Sequence, residues 1–544
     1  MKLRNLFLSG FALCSMSLFA QTHTQGIEYF KAEQYTNALE LLNRNLNNPG
    51  TDKALSYYYL GQIEMRRDNI SGATKYFQDG IALDPTCPYN YIGLGYIALK
   101  QGDVKQAEKY FKDAEKNGKK DQSVQVEIAR SYYNVDPVAY KAKYEKILAN
   151  ALKKDPQNPD IYILQGDMLR DEAYNTQDSK TYGRAAAQYD MATSYDPQSA
   201  VAYVKYADMY TNAKNPNYAI IKLEELVSNN PSSALGQREL ANLYYDTEQY
   251  KKAATKYGEY VKNPNHFRED EDRYSLLLYF DDDYQEGYDY ATELLASNPN
   301  NFTAQRFQFM NASNLDSMKD QLLPLADNLY ANHKKDKANR FAPIDYLLLA
   351  SAFGDNGRTD DAIAVLQEGI ADDPKNASFE RSLSGIYLNN DDYANAAKAY
   401  TNYIAKTANP TYNDFIRATI YAYNAAVKNN NDPAFFDMAV EYANKAKAAD
   451  DIQYQPYKLI GDIAMTRANQ AQAGSVAVND YLEALKRIEA NPDPKYNNDA
   501  ATIYKYLGAY YLEKKDNASA KKYLGKYLEI NPQDDKIKKA YNAL

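Results

Sequence analysis

The sequence predicts an all-α protein made of repeated helix pairs, and three regularities carry this prediction. Residues recur at a step of 34, as in Tyr57 and Tyr91 or Gly61 and Gly95. A proline recurs close to the end of the repeat, first at Pro85. A small residue is followed twelve positions later by alanine in eight places, namely Gly26/Ala38, Gly61/Ala73, Gly95/Ala107, Ala207/Ala219, Ala241/Ala253, Ala350/Ala362, Ser384/Ala396 and Gly508/Ala520.

The segment 54–85 shows why the repeat predicts two helices. Tyr57 and Gly61 are one helical turn apart, and a second set of residues with helical spacing begins at Ala73. Gly61 and Ala73 would remove side-chain bulk where the two helix axes come closest. Pro85 lacks an amide hydrogen and disfavours helical geometry in the residue before it, so the second helix should end there.

This pattern resembles the tetratricopeptide repeat, a helix–turn–helix of 34 residues. The resemblance implies a right-handed superhelical solenoid whose stacked units bury a continuous core. One departure is that tyrosine, as at Tyr57 and Tyr91, stands where the family often has tryptophan. Phasing the repeat predicts about fourteen units, which begin near Gln21, Ala54, Pro88, Gln122, Pro159, Ala200, Ala234, Arg268, Phe302, Pro343, Ala377, Thr411, Tyr454 and Ala501.

We expect five segments along the chain. A signal peptide (1–20) precedes an N-terminal array of repeats (21–301), and an irregular repeat with the main articulation follows (302–342). A C-terminal array (343–535) and a short closing helix (536–544) complete the chain.

Several units depart from the regular repeat. In the irregular repeat, Pro324 falls inside the predicted second helix, so this helix either starts late at Pro324 or kinks there. Elsewhere, extra residues are expected to lengthen the turn between the two helices of a unit. They fall near Val135–Pro137, Asn175–Lys180, Lys428–Asp432 and Arg467–Gly474.

The N-terminus has the features of an export signal. Lys2 and Arg4 precede an apolar stretch over residues 6–19, and Ala20 offers a small residue for cleavage before Gln21. The sequence therefore predicts an exported protein, either periplasmic or associated with the outer membrane of a Gram-negative bacterium.

Cysteine usage and charge narrow the setting further. Cys14 leaves a lipoprotein as an alternative, although Leu13 precedes it where lipid attachment requires a small residue. Cys87 is then the one cysteine of the mature chain, so no intrachain disulfide can form. The net charge of −9 disfavours nucleic acid or an anionic membrane as partner. No stretch reaches the roughly 18–20 apolar residues of a membrane span, so membrane insertion is not expected.

The chain offers little material for catalysis or for metal or cofactor binding. His23, His266 and His333 are far apart, and the sequence has no Cys-x-x-Cys, His-Glu-x-x-His or Gly-x-Ser-x-Gly motif. The segment 93–98 imitates a dinucleotide-binding loop, but Gly95 belongs to the small-residue column of the repeat. We expect no catalytic residues, no metal, no cofactor and no enzymatic activity.

The first candidate binding surface is aromatic. The resemblance implies that the first helices of successive units line a concave groove that holds a peptide or a partner's helix. By phase, Tyr58, Tyr89, Ile92, Tyr96 and Tyr133 face this groove in units two to four. They either form a recognition stripe, because rigid aromatic rings give contact area at low entropic cost, or pad neighbouring helices. In a chain with 54 tyrosines, padding is the favoured interpretation.

The second candidate surface is basic and lies in units seven to nine. Arg238 and Asn242 are one helical turn apart, Arg306 follows 68 residues after Arg238, and Arg273 lies between them. This set resembles the carboxylate-gripping groove of chaperone-adaptor members of the family, which combines a basic residue with asparagine. Neighbouring acids such as Glu269 could neutralise the arginines, and ordinary ion pairing is the favoured interpretation.

Together these features predict a non-catalytic scaffold of the bacterial cell envelope. It would bind peptides or partner proteins in its groove, in assembly or secretion and trafficking complexes, and association with an outer-membrane complex is compatible with this role. One alternative is a glycan-binding outer-membrane uptake protein with embedded repeats, although the chain has no tryptophan for sugar stacking. Another is an enzyme with a repeat adaptor, for which no non-repeat segment of domain size remains.

Overall fold

The computed structural model describes residues 22–336, 338–468 and 475–544, and this part of the chain is all-α. It contains 29 α-helices, of which the first 28 form fourteen consecutive helix–turn–helix repeats. The predicted phasing is confirmed, because the first helix begins within one residue of its predicted start in repeats 1 to 13. The predicted signal peptide lies outside the described residues.

The helices of repeats 1 to 8 are α1 (Thr22–Lys31) and α2 (Tyr35–Asn45), α3 (Lys53–Arg66) and α4 (Ile70–Leu83), α5 (Pro88–Lys100) and α6 (Val104–Asn117), α7 (Gln122–Val135) and α8 (Lys141–Lys154), α9 (Pro159–Thr176) and α10 (Ser179–Tyr195), α11 (Ala200–Asn212) and α12 (Pro216–Asn229), α13 (Ala234–Asp246) and α14 (Tyr250–Tyr260), and α15 (Arg268–Phe280) and α16 (Tyr284–Ser297).

The helices of repeats 9 to 14 are α17 (Phe302–Ala312) and α18 (Lys319–Lys335), α19 (Pro343–Asp355) and α20 (Thr359–Asp372), α21 (Ala377–Asn389) and α22 (Tyr393–Lys406), α23 (Tyr412–Lys428) and α24 (Pro433–Ala449), α25 (Gln455–Arg467) and α26 (Val478–Ala490), and α27 (Asn497–Glu513) and α28 (Asn517–Ile530). A short helix, α29 (Asp535–Asn542), follows the last repeat. We call the first helix of each repeat the inner helix and the second the outer helix.

Tight turns join the two helices of most repeats. In ten of them one turn residue has a left-handed backbone, as Glu33 does at φ 67° and Gly102 at φ 85°. A left-handed residue after a helix lets the chain reverse direction within a few residues. In several of these repeats the next helix is then capped by a side chain, as where Asp103 accepts a hydrogen bond of 2.9 Å from the amide of Gln106.

The recurring small residues lie where the two helices of a repeat touch. A Cβ atom on Gly61 would lie 2.4 Å from the ring of Phe77, and one on Gly95 would lie 2.4 Å from the ring of Phe111. In these two repeats the inner helix therefore packs its glycine directly against an aromatic ring of the outer helix. The predicted alanines are fully buried at Ala38, Ala73, Ala107, Ala219, Ala253, Ala362, Ala396 and Ala520.

The chain divides into two compact bodies after Gly287. We call residues 22–287 the N-terminal body and residues 288–544 the C-terminal body. The boundary lies within α16, upstream of residues 302–342, where the sequence predicts the main articulation. The place of this articulation stays a prediction.

The extra residues of two repeats mainly lengthen helices. In repeat 5, α9 and α10 have 18 and 17 residues and only Gln177 and Asp178 lie between them. In repeat 12, α23 and α24 have 17 residues each. The expected longer turn was wrong in repeat 5, because the residues added there contain no glycine or proline that would stop the first helix. In repeat 12 the turn, over residues 429–432, is one residue longer than the three-residue turn of most repeats. After α7 the turn is longer, over residues 136–140, and residues 469–474 lie outside the described chain.

Repeat 9 is irregular, but not in the way that its proline suggests. A short 3₁₀ helix (Asp316–Met318) leads into α18, which begins at Lys319 and contains Pro324. The predicted late start at Pro324 is therefore wrong. The helix continues past the proline because Ala326 and Leu329 are fully buried in the core of the C-terminal body.

Candidate functional site

In the N-terminal body, the first inner helix packs against inner helices of later repeats. We call this packing of repeat 1 the closure. Helix α1 contacts its neighbour α3 and also α11 and α13, the inner helices of repeats 6 and 7. The side-chain hydrogen bonds of repeat 1 to this surface join residues 129 to 222 positions apart in the sequence. In this body, the chain's own first repeat therefore occupies the inner face that the resemblance predicts as a groove.

Glu33 is the centre of this closure. It lies in the α1–α2 turn, and its carboxylate accepts hydrogen bonds from Lys205 Nζ at 2.7 Å and from Arg170 Nη2 at 2.9 Å. The Lys205 side chain is 3% exposed and also pairs with the buried Asp167 at 2.9 Å. Burial would raise the pKa of Asp167, but Lys205 and two arginines lower it to about 2, so this carboxylate is ionised. Removing Lys205 would leave the buried Asp167 carboxylate with less compensation for its charge.

Four further hydrogen bonds attach repeat 1 to the same face. Gln25 Oε1 accepts a hydrogen bond of 2.8 Å from the amide of Ala234, the first residue of α13. This amide is one of the helix-end donors that have no partner within their own helix. The other three run from Lys31 Nζ to Asp160 at 2.9 Å, from Gln34 Nε2 to Glu239 at 2.8 Å, and from Arg44 Nη1 to the carbonyl of His266 at 3.0 Å.

An aromatic contact adds apolar area to the closure. Tyr29 is fully buried, and its ring lies 5.3 Å from that of Phe267 in an edge-to-face arrangement. The guanidinium of Arg238 lies 5.0 Å from the centre of the Phe267 ring. Buried aromatic pairs of this geometry contribute about 0.5–1.5 kcal/mol beyond the burial of their area.

Two acidic residues, Glu28 and Glu239, destabilise the closure when they ionise. Burial raises the pKa of Glu28 to about 8, and Glu28 Oε2 has no hydrogen-bond partner within the described residues. Burial likewise raises the pKa of Glu239 to about 7, although Gln34 donates a hydrogen bond to it. Both carboxyls are neutral at pH 5 and acquire charge toward pH 8, so the closed state takes up protons.

A charged cavity of about 260 Å³ remains beside the closure. Arg66, Arg130 and Arg170 line it together with Glu33 and Asp167. Most of these groups are already paired, since Arg130 Nη1 lies 3.0 Å from Asp167 Oδ2 and Arg170 binds Glu33. The cavity is therefore bounded by an ion-pair network of the chain itself.

The predicted aromatic stripe lies within this packed region. Tyr58 and Ile92 are buried, and the Tyr58 ring lies 5.5 Å from that of Tyr89. The hydroxyl of Tyr58 donates to Glu127 at 3.2 Å, that of Tyr89 to Asp121 at 3.1 Å, and that of Tyr133 to Asp171 at 3.0 Å. Tyr96 is half-buried. These contacts favour padding between helices, and a role of the five residues in recognition stays a prediction.

The basic residues of the N-terminal body are bound to the chain's own polar groups. Arg238 Nε lies 2.6 Å from Asp270 and its Nη2 lies 2.7 Å from Glu269. Asn242 Oδ1 accepts hydrogen bonds from Tyr257 and, at 2.8 Å, from Arg273. The geometry thus favours ion pairing over an open carboxylate grip, while binding of a partner by these residues stays a prediction.

Arg306 belongs to the C-terminal body, where its Nε lies 2.7 Å from both carboxylate oxygens of Asp345. Asp345 is fully buried and also accepts a hydrogen bond of 2.7 Å from the amide of Ala342. This pair fixes the start of α19. Recognition by Arg306 is likewise a prediction.

The inner face of the C-terminal body is open at repeats 10 and 11. Between α19 and α21 lies a cleft of about 210 Å³. Half-buried Leu347 and Ile386 form apolar parts of its lining, and Ser351 and Gly385 lie 34 residues apart at one repeat position. A Cβ atom on Gly385 would meet no atom within 4 Å, and one on Gly354 would meet its nearest atom at 3.9 Å. The cleft can therefore admit a chain segment without displacing a side chain.

A second, larger cleft of about 690 Å³ lies beside repeat 9 in the same body. Its lining mixes aromatic and charged groups, among them Phe341, Phe379 and Arg340. His333 stacks on Phe341 with ring centres 3.8 Å apart and bonds to Glu368 at 3.2 Å. This cleft is more polar than the one between α19 and α21.

Sequence reasoning missed the closure. Glu33 occupies the same turn position as Asp68 in repeat 2, whose side chain is 85% exposed, so no local signal marks Glu33 as special. In contrast, the sequence itself marks Gly385 as unusual. A glycine inside a helix costs about 1 kcal/mol relative to alanine, which indicates a packing or functional reason for it.

The comparisons with known proteins agree with this architecture. The tetratricopeptide repeat family matches residues 60–122 and 347–412. Both matched segments therefore resemble tetratricopeptide repeats, and the fourteen helix pairs are consistent with about fourteen such units. None of the curated proteins matches it.

Several solved structures are similar in fold. The C-terminal part of a TPR repeat-containing protein from Cytophaga hutchinsonii is 15% identical, covers 49% of this chain and 97% of its own, and has a TM-score of 0.39. YrrB, a TPR protein with an unusual peptide-binding site, is 14% identical over 39% of this chain and 97% of its own, with a TM-score of 0.28. Naa15/Naa10 bound to HypK-THB is 14% identical over 96% and 95%, with a TM-score of 0.26. Similarity at this level carries no argument about partners.

The described residues contain neither a membrane-spanning helix nor a metal-binding group. None of the helices there combines the length and apolar character that crossing a membrane requires. The same residues contain no group of three or more histidine, cysteine or acidic side chains placed to hold a metal ion.

Proposed function

We propose that this tetratricopeptide repeat protein is an exported, non-catalytic scaffold of the bacterial cell envelope. It binds a segment of a partner protein on an inner helix face and serves assembly or secretion and trafficking complexes. The repeat architecture supports a binding role, because stacked helix pairs present long continuous faces. The basic and apolar stretches before Gln21 support export.

The observation that carries the proposal is the open cleft between α19 and α21. Leu347 and Ile386 offer apolar area, while Gly385 leaves room for close approach of a peptide backbone. The exposed Asn389 supplies an amide that can both donate to and accept from a backbone. An extended segment with small or apolar side chains fits these properties.

The N-terminal body supports the same assignment by contrast. Its inner face is covered by repeat 1, and the arginines that the sequence singles out there are paired with acids of the chain. A partner would have to displace these contacts to bind. In the C-terminal body, a partner at the α19–α21 cleft displaces no side chain.

A substitution that fills the cleft tests the binding site. Gly385→Leu should weaken capture of the partner at least tenfold without lowering the melting temperature, because a Cβ atom at this position meets no other atom within 4 Å. The matched control is Gln367→Leu, on the exposed surface of the outer helix α20. Equal capture by both variants would place recognition elsewhere, first at the 690 Å³ cleft of repeat 9.

A crosslinking experiment identifies the partner directly. A photoreactive amino acid at Ser351 or Gly385 should crosslink one defined protein in intact cells, whereas the same group at Gln367 should not. Cell fractionation tests the setting, since the mature chain should begin near Gln21 and be found in the envelope fractions. A cytoplasmic chain that keeps residues 1–20 would contradict the export part of the proposal.

A further inference from the structure

We propose that the inner face of the N-terminal body is a receptor for repeat 1 as a separable ligand, and that it accepts repeat 1 of a second copy of the chain. We call this face the repeat-1 receptor and define it by Asp160, Arg170, Lys205, Glu239 and Phe267. The inference does not rest on the proposed function, which concerns the C-terminal body.

The contacts between repeat 1 and the receptor have the character of an interface. Glu33 enters a site formed by Lys205 and Arg170, and Lys31 pairs in the opposite sense with Asp160. The two ion pairs have opposite polarity, so they fix the orientation of the docked repeat as well as its affinity. Tyr29 supplies the buried aromatic anchor against Phe267.

All of these contacts join residues that are far apart in the sequence. The receptor residues lie between Asp160 and Phe267, whereas repeat 1 ends at Asn45. Repeat 1 of another copy would offer the same atoms in the same arrangement. Exchange of an identical element between copies is a low-cost route to a dimer.

The connection to repeat 2 can change direction without loss of helix. Seven residues, 46–52, join α2 to α3 and include Pro49 and Gly50. Gly50 has a left-handed backbone at φ 84°, and a Cβ atom there would meet nothing within 4 Å. Asp52 caps α3 by accepting a hydrogen bond of 2.9 Å from the amide of Leu55, so α3 keeps its cap whatever the path of residues 46–51.

The closure also leaves polar atoms unsatisfied. Glu28 Oε2 and the Tyr29 hydroxyl are buried without a hydrogen-bond partner in the described part of the chain. Buried polar atoms without partners reduce the net stability of docking. Docking within one copy is favoured mainly by the connection, which gives an effective concentration on the order of millimolar. A second copy competes once docking in the first is impaired.

A labelled peptide tests the receptor. The probe is a fluorescent peptide of residues 22–46, and the receptor is the full mature chain with Glu33→Lys, whose own repeat 1 is repelled by Lys205 and Arg170. The matched control is the full chain with Asp68→Lys, which changes the equivalent turn residue of repeat 2. The peptide should bind the Glu33→Lys chain at least tenfold more tightly than the control, and a peptide with the same Glu33→Lys change should lose this binding.

A mixing experiment tests the second copy. The Glu33→Lys chain keeps an intact receptor, and a Lys205→Ala chain keeps an intact repeat 1. Each chain alone should be a monomer by light scattering, and an equimolar mixture should form a 1:1 dimer. If circular dichroism shows that Lys205→Ala has lost helix, Arg170→Ala replaces it, and Glu33→Gln is the milder substitute for Glu33→Lys.

The outcomes distinguish three failures: of the receptor, of the role of a second copy, and of the proposed function. No peptide binding to a folded Glu33→Lys chain would overturn the receptor. Peptide binding with a mixture that stays monomeric would overturn the role of a second copy. Gly385→Leu should leave both results unchanged, because this residue belongs to the C-terminal body.

Discussion

The two bodies use one repeat but differ at the inner face. Asn242 in α13 and Gly385 in α21 both directly follow the small-residue position of the repeat. Asn242 accepts hydrogen bonds from Tyr257 and Arg273, whereas the space beside Gly385 is open. The helix pair is fixed by residues between its two helices. The residue that follows the small-residue position lies outside this contact, so it can either fill the inner face or leave it open.

This difference matters because charge and aromatic area fill the N-terminal face and close it on repeat 1. At the α19–α21 cleft of the C-terminal body, serine and glycine leave a surface that another chain can reach. A tetratricopeptide array is thus a potential binding surface at every repeat, and its inner side chains decide where that surface is available. Four experiments test this difference between the two bodies.

The largest effect is expected at Lys205. Lys205→Met should destabilise the N-terminal body by about 3–5 kcal/mol, because it leaves the buried Asp167 carboxylate and Glu33 with less compensation. Chemical unfolding measures this loss of stability, and amide hydrogen exchange locates it in α9 to α13. Lys100→Met is the control, since the exposed pair of Lys100 with Asp68 should contribute about 0–1 kcal/mol. Equal losses would show that the closure adds no stability.

A leucine at equivalent inner positions should have opposite consequences. Asn242→Leu should cost about 1–3 kcal/mol, because the buried donors of Tyr257 and Arg273 lose their acceptor. Gly385→Leu should be neutral or stabilise by up to about 1 kcal/mol through helix propensity. Thermal melts of both variants check this. A destabilised Gly385→Leu would mean that the α19–α21 cleft is not open.

Two tyrosine hydroxyls give a smaller contrast within the N-terminal body. Tyr29→Phe should not lower stability, because the Tyr29 hydroxyl is buried without a partner. Tyr58→Phe should cost about 1 kcal/mol, since it removes the hydrogen bond of 3.2 Å to Glu127. Differential scanning calorimetry of the two variants decides the point. The reverse order would indicate a hydrogen bond of Tyr29 in solution.

The last contrast concerns pH. The folded-state pKa of Glu28 is raised to about 8 from an ordinary value near ~4.3, so its contribution to stability is complete below that ordinary value and is lost as pH rises toward 8. Glu239, at about 7, acts in the same direction. The wild-type N-terminal body should therefore lose more stability between pH 5 and pH 8 than Glu28→Gln. Parallel pH profiles would show that Glu28 is solvated in the folded state.

The sequence predicted the repeat well because its signal is local. Gly61 and Ala73 are twelve residues apart, and both belong to a single helix pair whose contact they define. Helix starts followed from the same phase. The late start at Pro324 was wrong because buried Ala326 and Leu329 hold α18 together around the proline, and such burial is a property of the assembled core.

The candidate site was predictable only in part. The sequence placed Arg238 and Asn242 on an inner helix, and both make polar contacts with inner helix α15. It offered their acidic neighbours as an alternative to a partner's carboxylate, and the geometry favours that alternative. It could not pair Glu33 with Lys205, because these residues are 172 positions apart.

By itself, the sequence determined the helix pair, its length and the stacking of fourteen such pairs, because these depend on side chains within about one repeat of each other. The tertiary structure decided which inner faces are covered. A small rotation between neighbouring pairs accumulates over seven repeats and brings α1 against α11 and α13. The total rotation depends on every interface between neighbouring repeats, and no single residue specifies it.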